Sequence, residues 1–230
     1  VEEPQIPGDE TQRLRALQCL SVLDTLPEER FDRITRLVVR LFGAAIALVS
    51  LVDRERQWFK SVQGLDATET GRNISFCGHA ILSEGPLIVP DSLLDPRFAD
   101  NPLVTGPPHI RFYAGHPVHA PDGSRVGTLC VMDPRPREVA SADMALLADL
   151  AAMVDRELSL LALATIDALT HLSNRRGVSE IARHVLALCA RHGQPATLIA
   201  FDLDGFKKIN DTGGHAAGDD ALRMFADLLL

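Results

Sequence analysis

From Ser141 to Arg176 the chain contains neither glycine nor proline. So long a stretch without a backbone breaker favours one extended helix, which divides the chain into a part before it and a part after it. Ser141 is placed as an N-cap with Asp143 in the first turn, and the spacing predicts a linker helix over 141–170. Leu147, Ala151, Val154, Leu158, Leu161, Thr165, Ala168 and Leu172 recur in alternating steps of four and three, which is a heptad seam. The 25 residues from Ala142 to Ile166 would span roughly 37 Å as a helix. A seam of this kind predicts a parallel homodimer through the linker helix. The other outcome is that the helix packs back on the preceding domain.

Composition sets the frame for both parts. The chain has 230 residues, 46% of them apolar, with a formal net charge of −8, enough for one full domain and part of another. The acidic balance argues against a nucleic-acid partner. No apolar run approaches the length of a membrane span. Cys19, Cys77, Cys130 and Cys189 are widely spaced with no CxxC pair, a pattern that fits a reducing cytoplasm and argues against a structural zinc site.

Before the linker, helical periodicity runs from Asp9 to Leu23 and again from Glu28 to Phe42, the second helix ended by Gly43. Strands are predicted at 45–52, 57–62, 87–89, 112–118 and 126–132, the last two joined by the turn Pro121-Asp122-Gly123-Ser124. Helices flanking an antiparallel sheet make an α+β domain.

After the linker, residues 198–225 put carboxylates, an amide, a lysine and a histidine into few positions. Leu198-Ile199-Ala200-Phe201 has the length and bounding of a buried strand, and it ends on Asp202 and Asp204. A hard divalent cation can be anchored by a single strand-end carboxylate, with water and phosphate oxygens completing its shell, and Asp202 is the candidate. Lys207 offers a mobile charge for a polyphosphate, while Asn210 and Asp219 could pair with a purine edge. Taken singly, each residue also fits an acidic strand end followed by a charged amphipathic helix.

The order and spacing resemble the GGDEF domain of diguanylate cyclases, whose pattern D-x-D-x-F-K-x-x-N-D-x-x-G-H-x-x-G-D is matched at every fixed position from Asp202 to Asp219. Upstream, Asp167-Ala168-Leu169-Thr170-His171-Leu172-Ser173-Asn174-Arg175-Arg176 is similar to the family's opening motif, with His171 in place of the usual glycine. The resemblance implies condensation of two GTP into cyclic di-GMP by two facing domains, with diphosphate released. Asp202 and the backbone carbonyl of Leu203 would hold Mg²⁺ or Mn²⁺, and Lys207 would neutralise charge developing on the phosphates. Asn210, His215 and Asp219 would bind GTP. The family's Gly-Gly-[Asp/Glu]-Glu-Phe hairpin is not found after Asp219, so the expectation is an incomplete cyclase domain over 167–230, inactive by itself.

The first part resembles a GAF sensor domain, assigned to residues 1–158. The likeness rests on 46–53, Gln57-Trp58-Phe59-Lys60-Ser61, 74–81, Arg111-Phe112-Tyr113-Ala114-Gly115 and 127–133. It implies a pocket for a small molecule that the resemblance does not identify, with Cys77, His79, Trp58, Phe112, Tyr113 and His116 as candidate lining residues. Cys77 and His79 stand two apart at a predicted helix start, where a thiol pKa falls. A covalent tetrapyrrole, a redox thiol and a haem axial histidine are three readings, beside plain packing of both side chains. The expected protein is a cytoplasmic GAF-regulated diguanylate cyclase, and the alternative is a non-catalytic GAF small-molecule-binding signalling module.

Overall fold

A computed structural model describes residues 1–229, apart from the side chains of 180, 184, 187, 188 and 192. The chain divides into two units, the first comprising 1–17 and 22–160, the second 18–21 and 161–230.

The first unit is built on strand β1 (Ile46–Val52), in which every residue is buried. Such a run, Ile-Ala-Leu-Val-Ser-Leu-Val, has no polar face to offer water and is stable only at the centre of a covered sheet. It pairs antiparallel with β2 (Arg56–Gln63) across a short turn and with β6 (Arg125–Asp133) from the far end of the unit. With β3 (Glu69–Gly71), β4 (Leu87–Val89) and β5 (Phe112–His119), the sheet has six strands in the order β3-β2-β1-β6-β5-β4, all antiparallel. The α+β class expected from the sequence is the class observed. The three-residue β3 carries too little pattern to be read from sequence.

Helix α1 spans Glu10–Cys19 and α2 spans Glu29–Phe42. The α2 helix buries Phe31, Ile34 and Val38, and Thr35 and Asp32 on it bond the Ser61 hydroxyl of β2 at 2.8 and 2.6 Å. Lys60, whose side chain is fully buried, ion-pairs with Glu28 at 2.6 Å and donates to Thr25 and to the Leu26 carbonyl. On the opposite face of the sheet lie the short helices α3 (Phe76–Ala80) and α4 (Pro102–Thr105), whose Phe76, Cys77, Ala80 and Val104 join one apolar cluster with Ile46, Leu48, Tyr113, Cys130 and Met132.

The linker helix α5 spans Ser141–Thr165, five residues shorter than predicted. It ends there because Asn174 N–H bonds the Thr165 carbonyl at 2.8 Å and Ile166 bridges to Ser173, turning the chain back. Leu147, Ala151, Val154, Leu158, Leu161 and Thr165 are all buried within this single chain. In the first unit Asp155 accepts the His119 backbone N–H at 2.7 Å, and Glu157 faces Arg33 of α2. Six of the eight seam residues are thus buried within the chain, as expected of a helix that packs back on its own domain, whereas Ala168, past the helix end, is exposed and Leu172 half-buried. The seam pattern records burial, which repeats with the same period whether the covering surface is a partner helix or a sheet. Among the described residues no helix is long and apolar enough to cross a membrane.

A buried ionic cluster ties α1 to the turn that leads into α3. Glu10 takes paired bonds from Arg13, at 2.8 and 2.9 Å, and from Arg72, at 2.5 and 3.2 Å. Arg13 also caps the Val52 carbonyl at the end of β1. Burial pushes the Glu10 carboxyl up, but the hydrogen bonds from Arg13 and Arg72 outweigh it and bring its pKa down to about 2. A depressed folded pKa contributes stability that is complete above the unfolded value, near 4.5, and is lost as pH falls towards 2. Glu10→Gln is expected to cost roughly 2 kcal/mol at pH 7. In urea unfolding followed against pH, the gap between the wild type and this variant should close between about 4.5 and 2.

Candidate functional site

In the first unit the strands, α3 and the loops after α4 enclose a cavity of about 20 Å³ measured as space for water centres, room for about one water. Its wall includes Gln57 and Phe59 from β2, Phe76 and Cys77 from α3, Tyr113 from β5 and Met132 from β6. The polar part is a relay. Ser75 caps α3 by accepting the Gly78 N–H at 2.8 Å and donates to the Gln57 side-chain oxygen, whose amide donates to Thr70 at 2.6 Å. Phe76 stacks between Phe98 and Tyr113, with ring centroids 4.1 and 5.1 Å away.

Cys77, only 2% exposed, accepts the Tyr113 hydroxyl at 3.5 Å and lies 3.8 Å, sulfur to sulfur, from Cys130. Gly115 permits this: a side chain there would collide with the Tyr113 hydroxyl. Burial raises the Cys77 thiol pKa, yet the neighbouring Cys130, Thr128, Tyr113 and Ser50 groups bring it down to about 6. Cys130, facing that ionised neighbour in a buried site, is pushed well above the ordinary thiol range.

Strand alternation sorts the other candidates. Trp58 lies on the face of β2 opposite Gln57 and Phe59, within 5.9 Å of the Lys60 ammonium. Phe112 and His116 lie on the face of β5 opposite Tyr113, Phe112 under Arg137 and His116 with its Nδ1 2.9 Å from the Pro117 carbonyl. None of the three lines the cavity. His79 points away from it, its Nε2 3.1 Å from the Glu2 carbonyl and its ring edge-on to Phe98, and burial lowers its pKa. The cavity as it stands has no room for a tetrapyrrole, and His79 is not placed as an axial ligand within it. Cys130, Gln57, Thr70 and Ser75 are the site residues that sequence reading missed. A strict period-two reading of β2 would have selected Gln57 over Trp58; nothing local in the sequence joins Cys77 to Cys130.

In the second unit the opening motif is a structural clamp. Asp167 accepts from the backbone N–H groups of Leu169 and Thr170, at 3.2 and 3.0 Å, and from the Thr170 hydroxyl at 2.8 Å, and these bonds hold its carboxyl below the usual range. Asn174 caps α6 (Arg175–His192), accepting from Arg176 and Gly177, and its amide reaches the Ala164 and Ile166 carbonyls. Residues 198–201 do not form the expected buried strand. They are irregular, with Leu198, Ile199 and Phe201 exposed at 93%, 67% and 63%, because no other segment among the described residues pairs with them. A lone strand leaves its ladder groups to water.

Asp202 and Asp204 follow as exposed residues, and the Leu203 carbonyl accepts a long bond, 3.3 Å, from Phe206 N–H. An exposed carboxylate beside a backbone carbonyl suits a hard cation that keeps water and phosphate in its shell. No three metal-ligating side chains cluster among the described residues. Helix α7 (Phe206–Asp227) carries exposed Lys207 and half-buried Asn210, kinks at Gly214 (φ 76°, ψ 173°), and resumes with exposed His215 and half-buried Asp219. The kink sits at Gly214 alone. Gly218 is buried and helical, and a side chain on it would collide with the Asn210 amide, so Asn210 packs against the backbone position that precedes Asp219.

Residues 26–158, more than half of the chain, match the family model described as the GAF domain. The chain belongs to the GAF domain family. Behind the GAF domain, residues 164–230 match the model described as the diguanylate cyclase GGDEF domain. Over 202 residues the chain is 40% identical to a cyclic di-GMP phosphodiesterase of Pseudomonas aeruginosa, covering 87% of this chain and 34% of that one. It is 38% identical over 125 residues to the diguanylate cyclase DgcP of Escherichia coli K12, covering 48% of this chain and 36% of that one. The chain thus spans about a third of the length of these two relatives. Among solved structures, a free methionine-R-sulfoxide reductase from Neisseria meningitidis aligns with TM-score 0.50 and 17% identity, over 71% of this chain and 99% of that one, a likeness of fold.

His171 stands where the GGDEF opening motif has glycine, and its φ is 56°. The left-handed region costs an L-residue roughly 1–2 kcal/mol, part of which glycine returns through its freer unfolded state. His171→Gly should stabilise the clamp by about 1 kcal/mol, read as slower hydrogen exchange of the amides at 166–174.

Proposed function

We propose that this chain is the sensor and nucleotide-binding portion of a cyclic di-GMP signalling protein, in which a GAF domain governs a GGDEF domain that condenses two GTP into cyclic di-GMP and two diphosphates. The observation that carries this reading is the unbroken order from Asp202 to Asp219 in a segment matching the GGDEF model. The Asp219 carboxylate accepts the adjacent N1–H and amine of guanine, and the Asn210 amide, held against Gly218, bonds another edge of the base. His215 completes the GTP contacts. Lys207, on the first turn of α7, offsets charge on the phosphates. Asp202 and the Leu203 carbonyl would hold Mg²⁺ or Mn²⁺, which would supply Lewis-acid stabilisation of charge on the phosphates. Each nucleotide's 3′-hydroxyl must reach the phosphate of the other, so two copies face each other in a homodimer. A small molecule bound by the GAF domain shifts how often they do so. The cytoplasm supplies the GTP.

The 230-residue chain alone is expected to form no cyclic di-GMP, since the Gly-Gly-[Asp/Glu]-Glu-Phe signature is not found after Asp219 in it. The relative from P. aeruginosa favours a second reading, in which the GGDEF segment binds GTP without turnover and regulates a phosphodiesterase. The full-length protein carrying this segment separates the two when given GTP and cyclic di-GMP in turn and followed by chromatography. Cyclase function predicts cyclic di-GMP made from GTP, with loss of 100-fold or more on Asp202→Asn or Lys207→Ala, roughly the loss of one oriented charge at a transition state. Phosphodiesterase function predicts cleavage of cyclic di-GMP, with Asp219→Asn altering only its response to GTP.

A further inference from the structure

We propose that Cys77 and Cys130 form a redox-active dithiol that closes to a disulfide on reaction with a small peroxide, stapling α3 to the central sheet. This goes beyond the cyclic di-GMP reading and does not depend on it. The two residues are 53 positions apart, on different elements, yet their sulfurs lie 3.8 Å apart in the same buried cluster. A disulfide needs about 2.0 Å, so the sulfurs must close by under about 2 Å. Cys130 sits on β6, fixed between β1 and β5, whereas Cys77 sits on a five-residue helix held by the Ser75 cap. The helix is the element that moves.

Two features make Cys77 the attacking sulfur. It forms part of the cavity wall, and Cys130 does not. The Tyr113 hydroxyl donates to its sulfur at 3.5 Å, and its pKa is lowered to about 6 while that of Cys130 is raised, so the thiolate resides on Cys77. Thr128 Oγ1 acts on both sulfurs, lowering each, and is buried without a hydrogen-bond partner. An oxygen added to the Cys77 sulfur would give this orphaned hydroxyl an acceptor.

The chemistry balances with hydrogen peroxide as the oxidant. The Cys77 thiolate attacks one peroxide oxygen and the O–O bond breaks. The departing hydroxide takes up the proton that Cys77 had released, giving water and a sulfenic acid. The Cys130 sulfur then attacks the Cys77 sulfur and the S–O bond breaks. The hydroxide that leaves takes the Cys130 proton as a second water. The two thiols lose two electrons and the peroxide gains them. Room for about one water and walls of Phe76, Phe59 and Met132 admit a molecule of peroxide size and exclude a large charged oxidant such as glutathione disulfide.

The test uses the intact 230-residue chain, exposed while folded to hydrogen peroxide or, separately, to glutathione disulfide at equal concentration. After quenching, the protein is denatured, alkylated with N-ethylmaleimide and mapped by mass spectrometry. The expected result is joint loss of alkylation at Cys77 and Cys130 and one cross-linked peptide, lighter by two hydrogens than its two halves and restored by a dithiol reductant. Peroxide should form it at least tenfold faster than glutathione disulfide. In Cys130→Ser the Cys77 sulfenic acid should persist and be trapped by dimedone. The proposal is overturned if Cys77 stays fully alkylated at peroxide doses that oxidise Cys19 or Cys189. It is equally overturned if Cys77 is oxidised while Cys130 remains alkylated, or if either bonds a different cysteine.

Discussion

The pairing of β1 with β6 is the constraint on which the GAF domain depends. Strand β1 is buried along its whole length, so its backbone groups must be satisfied on both edges. The turn at 53–55 delivers β2 to one edge, but the other is filled only by a strand from more than seventy residues away, in a register that places Leu48 opposite Cys130. That register fixes which side chains of β6 face α3. Cys130 and Met132 face the cavity side, and Leu129 and Val131 the other. A slip of one residue would exchange them and remove both the cavity wall and the dithiol.

Polar anchors then place α3 against this sheet. Glu10 holds Arg13 and Arg72, Arg13 ends β1 at Val52, and Arg72 begins the turn that delivers Ser75, Phe76 and Cys77. Ser75 and Gln57 satisfy each other in the buried wall. The same residues that carry stability therefore set the position of the thiol, and a change at Glu10 acts on the site through Arg72.

Much of the fold could be read directly. The helices at 29–42 and 141–165 and five of the six strands follow from periodicity and from the turn residues between them. Reading failed where a period has more than one cause. The seam Leu147, Ala151, Val154, Leu158 has heptad spacing because it is buried, and the chain itself buries it. Leu198–Phe201 has a strand's composition, but a strand exists only with a partner, and none is present among the described residues. The GAF resemblance implies Trp58, Phe112 and His116 as pocket lining, whereas strand alternation puts them on the sheet's other face.

By itself the sequence determined the GGDEF-like order from Asp202 to Asp219 and the succession of GAF and GGDEF segments, because these are properties of residue type at fixed spacing along one chain. It also marked Cys77 as a thiol at a helix start. Only the tertiary structure decided that Cys77 faces Cys130 and Tyr113, that Asn210 rests against Gly218, and that the linker seam from Leu147 to Thr165 is covered. Each of those is a long-range contact or a choice between two faces. Local sequence leaves both open until the sheet register and the helix packing are set.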